Sequence, residues 1–166
     1  MISLFILILL LRNKFIKMNL INYFGYASNL KQNLFEERIN GKHPLNIWKG
    51  KLNNYQFCFN HKQSNGQTRA NIIKKDGMNV LGIIYLIDQQ SFDILIQSEP
   101  DYKIIDVDIE INSNKDIIKA KTFITDKTES NYLIPSDEYL KTILIGAQQH
   151  NLSQEYINYI ISISNI

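Results

Sequence analysis

Cysteine is almost absent from this chain of 166 residues, since Cys58 is its single thiol. One cysteine excludes a framework of disulfides within the chain and a metal cluster held by several cysteines. It is typical of a reducing compartment, and we expect the protein in the cytoplasm. Cys58 stands between Phe57 and Phe59 in a strand-like stretch, which indicates a structural role.

Long apolar runs are also lacking. Residues 2–11 form a run of ten, whereas a membrane-spanning helix needs about 20 residues. Arg12, Lys14 and Lys17 follow this run, although a signal peptide carries its positive charges before it. We therefore interpret residues 1–17 as an artefact of the gene model that precedes the natural start at Met18. The alternative is a short N-terminal membrane anchor whose positive flank stays on the cytoplasmic side.

An excess of basic charge is missing from the rest of the chain. The formal net charge is +2, but residues 18–166 carry 15 basic and 16 acidic side chains. No run of lysine or arginine interleaves with aromatic residues, so we expect no nucleic-acid partner.

The sequence lacks the common motifs of metal, nucleotide and serine-nucleophile sites. His43, His61 and His150 are scattered, and no pair of them has ligand spacing. There is no P-loop, no dinucleotide-binding glycine motif and no nucleophile elbow. We expect neither a metal site nor a cofactor.

What is present is a series of strands followed by helices, within a single domain over residues 18–166. Apolar periodicity predicts strands at 20–26, 55–60, 69–74, 80–87, 105–111 and 117–125, and helices at 31–39, 92–97, from 136 onward and after a break at 151–153. We predict a loop at 45–54, a turn at Asp76-Gly77, and N-caps at Ser91 and Ser136. Because strands dominate residues 20–125 and helices close the chain, the fold class is α+β.

The first strand ends in a loop of small residues, Tyr26-Ala27-Ser28-Asn29-Leu30. Such a loop presents backbone N–H groups with little side chain over them, at the start of a helix. That arrangement suits a carboxylate or an oxyanion. The same residues are equally typical of an ordinary connection between a strand and a helix.

Glu99 differs from the other carboxylates in its neighbours. It follows an apolar helix and precedes a strand of the buried type. Partial removal from water would raise its pKa and suit it to general acid/base catalysis. The local sequence is also compatible with a surface or capping glutamate.

The order of these features resembles the γ-glutamylcyclotransferase family, in its bacterial-type form. The resemblance is carried by segments spread over residues 20–160: Tyr23-Phe24-Gly25-Tyr26-Ala27-Ser28-Asn29-Leu30, Phe59-Asn60, Ala70-Asn71-Ile72, Val80-Leu81-Gly82-Ile83-Ile84-Tyr85, Ser98-Glu99, Pro135-Ser136-Asp137-Glu138-Tyr139, Gly146-Ala147 and Leu152-Ser153-Gln154-Glu155-Tyr156. Each segment is short, but their order and spacing match the family. The resemblance implies a small mixed β-barrel flanked by helices.

The resemblance also implies an activity that needs no metal or cofactor. The α-amine of a γ-glutamyl group attacks its own γ-carbonyl, which forms 5-oxoproline and releases an amine or amino acid, as in glutathione metabolism. Glu99 would be the general acid/base. The loop Tyr26, Ala27, Ser28, Asn29 and Leu30 would bind the substrate, together with Tyr139 and Tyr102.

Four positions depart from the family pattern. Ala27 replaces the loop glycine, Ile96 and Pro100 stand near the glutamate where the family has other residues, and Phe123 stands where a relative has tyrosine. If position 27 needs a positive φ, alanine costs about 1 kcal/mol there. We therefore keep a second hypothesis, an inactive relative that binds a small acidic ligand or a protein partner. The leaving amine and the oligomeric state stay open.

Overall fold

The structure is a computed structural model that describes residues 19–111, 114–129 and 132–164. The strands are β1 (Leu20–Gly25), β2 (Asn46–Lys62), β3 (Thr68–Asp88), β4 (Lys103–Ile111) and β5 (Asp116–Ile124). The helices are α1 (Gln32–Arg38), α2 (Gln89–Gln97), α3 (Asp137–Gln149) and α4 (Gln154–Ile163), and a single 3-10 turn covers Ser28–Leu30.

The five strands close into a barrel in the order β1-β3-β2-β4-β5. All neighbouring strands are antiparallel except β1 and β5, which run parallel. The α+β class and the mixed barrel flanked by helices are thus confirmed. No helix in the described ranges is long and apolar enough to cross a membrane. Residues 1–17, with their two proposed origins, lie outside those ranges.

The contact between β1 and β5 depends heavily on side chains. Its backbone pairing is a single bridge, Tyr23 opposite Lys121. The Thr122 hydroxyl donates to the Phe24 carbonyl at 2.7 Å, and the Tyr26 hydroxyl donates to the Phe123 carbonyl at 2.8 Å. These bonds join the first and last strands beside the loop that follows β1.

The predicted loop at 45–54 was wrong, since β2 already begins at Asn46. Residues 46–53 of β2 pair with residues 79–86 of β3, whose buried backbone groups need a hydrogen-bonded strand at each edge. The backbone ladder therefore extends this strand although four of its eight residues here are polar. Gly82 lies in the centre of the ladder, where an added Cβ would come within 2.5 Å of the Gly25 carbonyl oxygen.

The predicted turn at Asp76-Gly77 was also wrong as the end of a strand, because β3 continues through it. The residues instead form an irregularity in the pairing of β2 with β3, where the register shifts between Asn53 and Tyr55. Gly77 has a φ of +75°, and its N–H donates to the Asn54 side chain at 3.2 Å. Turn-type residues here mark a bulge within a long strand.

The N-cap of α2 is Asp88, which corrects the prediction of Ser91. The Asp88 carboxylate accepts the Ser91 N–H at 2.7 Å, so Ser91 is the residue that is capped. The predicted cap of α3 is confirmed: the Ser136 hydroxyl accepts the Tyr139 N–H at 3.3 Å.

We expect Asp88→Ala to lower the free energy of unfolding by about 1 kcal/mol at pH 7, because α2 loses its cap. The Ser91 N–H is the main cause that lowers the pKa of Asp88. A lowered pKa stabilises the fold above the unfolded-state pKa, and this contribution is lost as the pH falls through the folded-state value. Urea denaturation should therefore show the deficit at pH 7 and a smaller one below about pH 4. Asp88→Asn keeps an acceptor and is the control; an equal loss in both variants would contradict the capping role.

Residues of the core hold the loop after β1 in place. Phe35 of α1 stacks on Tyr85 of β3 with ring centroids 4.0 Å apart, and both residues are fully buried. The Tyr85 hydroxyl donates to the Asn29 carbonyl at 2.9 Å. Gly146 of α3 packs against the same loop, where an added Cβ would lie 2.4 Å from the backbone of Leu30 and Lys31. The loop is thus held between the barrel and two helices.

Candidate active site

A cavity opens beside the loop that follows β1. Its walls come from β1 and its loop, the end of α1, the start of β3, the segment after α2, β5 and the start of α3. The lining residues are Tyr23, Tyr26, Ala27, Ser28, Asn29, Arg38, Arg69, Ala70, Glu99, Tyr102, Phe123 and Tyr139. The fold therefore gathers into one cavity seven of the eight residues proposed from the sequence. Leu30, the eighth, is fully buried in the core beneath the loop.

Glu99 lies just beyond the C-terminal end of α2, where its N–H donates to the Ile96 carbonyl at 3.1 Å. Its side chain is 21% exposed. Burial raises the pKa of Glu99 above that of an ordinary glutamate, while Arg38, Arg69 and His61 oppose the rise. A carboxylate held this way is ready to exchange a proton with a group inside the cavity.

The segment that carries Glu99 is anchored on its C-terminal side. The Asp101 carboxylate pairs with Lys127 at 2.6 Å and lies 3.6 Å from Nε2 of the buried His61. The Tyr102 hydroxyl donates to the Ala70 carbonyl at 2.6 Å. These contacts tie the segment to β3 and to the chain after β5, and so fix Glu99 at the wall of the cavity.

Two N–H groups of the loop are unpaired. Within the part of the chain that the structure describes, the N–H groups of Ser28 and Asn29 donate to no acceptor, while the N–H of Leu30 closes the 3-10 turn on the Ala27 carbonyl at 2.9 Å. Ser28 and Asn29 are nearly inaccessible residues, at 8% and 6% exposure. Unpaired donors on a cavity wall suit an anion or a carbonyl oxygen that gains charge.

Ala27 adopts a φ of −127°, outside the left-handed region that favours glycine. The cost considered for a positive φ at this position therefore does not arise. The substitution of the family's glycine by alanine adds one methyl group to the cavity wall without a left-handed backbone.

Arg38 links the loop to Glu99, and sequence reasoning missed it. Its guanidinium donates to Ser28 Oγ at 3.0 Å and to Asn29 Oδ1, and lies 3.5 Å from the Glu99 carboxylate. Asn29 in turn donates to the Tyr23 hydroxyl at 2.7 Å. Arg38 stands at the end of a short predicted helix, where a positive side chain is expected because it interacts favourably with the helix dipole. The sequence therefore gives no sign that Arg38 also connects the loop to Glu99.

The tyrosines of the cavity are neutral. Burial raises the pKa of each of these side chains above the ordinary tyrosine value, which is already above physiological pH. The residues are Tyr23, Tyr26, Tyr102 and Tyr139. The Tyr139 hydroxyl accepts the Ala70 N–H at 3.2 Å, so its own proton is free to be donated to a ligand. Phe123 lines the cavity without a hydroxyl, as its departure from the family pattern implied.

Arg69, Tyr23 and Ala70 also line the cavity, and none of them was proposed as a site residue from the sequence. Tyr23 is fixed by Asn29 and stacks on Phe35 with centroids 5.8 Å apart, so it supports the loop. Arg69 stands at the start of β3, with its guanidinium 4.7 Å from the centre of the Tyr139 ring. Periodicity places Arg69 on a strand but does not show which end of the barrel it occupies.

Comparisons with known proteins bear on the same fold and site. A family model described as the AIG2-like family matches residues 79–160. The γ-glutamylcyclotransferase of Mus musculus is 26% identical over 145 residues, which cover 81% of this chain and 73% of that protein. The γ-glutamylcyclotransferase of Homo sapiens is 27% identical over 147 residues, with coverage of 81% and 73%. A solved structure of a γ-glutamyl cyclotransferase superposes with a TM-score of 0.77 at 21% identity, over 87% of this chain and 88% of that chain.

These comparisons reach different parts of the chain by independent routes. The family model contains Glu99, Tyr102 and Tyr139, and the two curated relatives extend the match over most of the sequence. The solved structure shares the fold over nearly the whole described chain. The comparisons therefore confirm the resemblance to the γ-glutamylcyclotransferase family that the sequence indicated.

Proposed function

We propose that this protein is a cyclotransferase that converts a γ-glutamyl amino acid or γ-glutamyl amine to 5-oxoproline and the free amine. The observation that carries the proposal is the position of Glu99, a partly buried carboxylate in the same cavity as unpaired N–H groups and a guanidinium. The names of the curated relatives support the same reaction class. The proposal places the reaction in the cytoplasm, in keeping with one buried, unpaired thiol among the described residues.

The reaction is an aminolysis within one molecule. The α-amine attacks the γ-carbonyl carbon, the new C–N bond closes a five-membered ring, and the bond to the leaving nitrogen breaks. Nucleophile and electrophile already share a molecule, so the cavity must only fold the substrate into the attack geometry.

Glu99 moves the protons that this reaction requires. As a carboxylate it accepts one proton from the α-ammonium, and as the acid it donates that proton to the leaving nitrogen. The second proton, which the ring nitrogen loses after the attack, completes the released ammonium group. The N–H groups of Ser28 and Asn29 stabilise the oxyanion or hold the substrate's α-carboxylate, and Arg38 adds positive charge beside them. The substrate and one side chain supply all of the reacting atoms, so the proposal needs no metal or cofactor.

The test is a direct assay of 5-oxoproline with the full chain. A panel of γ-glutamyl dipeptides and γ-glutamyl amines would be incubated with the protein, and 5-oxoproline measured by chromatography. Turnover of at least one panel member is the expected result. Binding without turnover of any member would instead support the inactive relative that binds a small acid.

The pH dependence of kcat/KM is expected to report the raised pKa of Glu99. Because burial raises the pKa of this carboxyl, the acid limb should have its midpoint above the 4.5 of an ordinary glutamate. Arg38 is the largest of the opposing influences, so Arg38→Gln should move the midpoint to still higher pH. A midpoint at or below 4.5 in the wild-type protein, from initial rates between pH 4 and 8, would argue against Glu99 as the base.

A further inference from the structure

The cavity contains more positive charge than the proposed reaction uses. Two guanidinium groups, those of Arg38 and Arg69, line it beside a single carboxylate, Glu99. Arg38 lies 3.5 Å from that carboxylate and is also bonded to the loop, so its charge is shared between Glu99 and the loop. Arg69 takes no part in the proposed proton transfer or in the binding of the glutamyl group.

The contacts of Arg69 hold it in place without neutralising it. Its guanidinium donates to the Thr68 carbonyl at 3.2 Å and to the Gln67 side chain, and it stacks on the Tyr139 ring. Among the residues that the structure describes, it forms no ion pair with a carboxylate. A guanidinium has five N–H donors in a rigid fork, so several remain for a ligand. Charge and free donors together suit an incoming carboxylate.

The position of Arg69 assigns it to one end of the substrate. The loop donors and Arg38 serve the glutamyl part, which carries the α-carboxylate and the reacting carbonyl. Arg69 belongs to a different wall, which is built from the start of β3 and from Tyr139 of α3. This wall is fixed at Ala70, whose N–H donates to the Tyr139 hydroxyl and whose carbonyl accepts from the Tyr102 hydroxyl. With the glutamyl part on the loop, this rigid wall is left for the leaving amine.

We propose that Arg69 determines specificity by pairing with a carboxylate on the leaving amine, so that this protein favours γ-glutamyl amino acids over γ-glutamyl amines. The proposal rests on the cyclotransferase function and names its substrate class. Arg69 acts as a binding residue for the carboxylate and takes no part in proton transfer. Its effect is therefore on the choice between substrates that share the same reacting atoms.

A matched pair of substrates tests this directly. γ-Glutamylalanine and γ-glutamylethylamide differ only by the carboxylate on the leaving amine. The readout is the ratio of their kcat/KM values, which we expect to exceed about tenfold in the wild-type protein, the size of a charge-assisted hydrogen-bonded pair. Arg69→Gln should bring the ratio close to one, and Arg69→Lys should restore part of it. Lys74→Gln removes the same charge from an exposed position on β3 and should leave the ratio as it is.

Calorimetric binding separates this inference from the proposed reaction. On a Glu99→Gln background, the same two compounds should differ in Kd by about tenfold, and Arg69→Gln should remove the difference. Absence of turnover in the wild-type protein would count against the cyclotransferase, while the Kd values of the Glu99→Gln variants still decide the role of Arg69. Equal Kd values, failure of both compounds to bind, or a parallel loss for both in Arg69→Gln would overturn the inference.

Discussion

Replacement of Glu99 by glutamine is expected to lower kcat for 5-oxoproline formation by about 10²–10⁴-fold, the usual contribution of a general acid/base. Glutamine keeps the shape of the side chain and can still accept a hydrogen bond. It cannot take the proton of the α-ammonium or return one to the leaving nitrogen. The loss should therefore appear in kcat, measured at saturating substrate, with a smaller change in KM.

A second glutamate, next to Arg38 in the sequence, provides the control. Glu37 precedes Arg38 in α1 and is exposed, so Glu37→Gln makes the same chemical change near the site without entering the cavity. Its kcat should equal that of the wild-type protein. Thermal unfolding should show that Glu99→Gln is folded, since an amide avoids the cost of a partly buried charge. Full activity in a folded Glu99→Gln protein would remove the mechanism proposed above.

Gly146→Ala is expected to lower the free energy of unfolding by about 1–3 kcal/mol, the usual cost of overpacking. On an exposed helix the same change would stabilise the protein by about 1 kcal/mol. Here the new Cβ would lie 2.4 Å from backbone atoms of Leu30 and Lys31, and backbone cannot rotate away as a side chain can. Either α3 or the 26–30 loop must move.

The displaced loop should also reduce activity. A shift of about 1 Å in groups that position a substrate can cost about 10²-fold, so we expect kcat/KM of the folded protein to fall by at least about tenfold. Gly50→Ala is the matched control, because its Cβ would meet the Ile109 side chain at 2.4 Å, away from the cavity. That variant should lose stability but keep its kcat/KM. Urea denaturation and initial rates, measured for both variants, distinguish the two effects. Wild-type stability and activity in Gly146→Ala would show that this contact does not position the loop.

Most of the strands could be predicted because their residues alternate or form buried runs. The apolar run from Val80 to Ile87 shows a central strand from its composition alone. The segment Asn46 to Asn53 could not be predicted in the same way, because its residues neither alternate nor form an apolar run. It is a strand because its backbone pairs with the neighbouring strand β3. The same reason explains Asp76-Gly77, where a bulge and a turn require the same residues.

The candidate site could be predicted only where the chemistry of a residue and the local sequence agree. Glu99 is a carboxylate with apolar neighbours, and the 26–30 loop is a break in an aromatic strand. Arg38 and Arg69 are ordinary charged residues in ordinary positions, and only the closed barrel brings both into one cavity. Which face of a strand or which end of a helix meets the cavity is decided by packing over long distances in the sequence.

The way the barrel closes has a consequence for how the protein acquires its activity. β1 meets β5 through one backbone bridge and a few side-chain bonds, and its partner residues are made about 100 positions later in synthesis. The loop after β1 therefore leaves the ribosome before Tyr85, α3 and the opposite walls of the cavity, which hold it in place, have been made. Contacts this distant in sequence close late and slowly. The protein should gain secondary structure first and ligand affinity last, and a chain truncated before β5 should have neither a closed barrel nor a site.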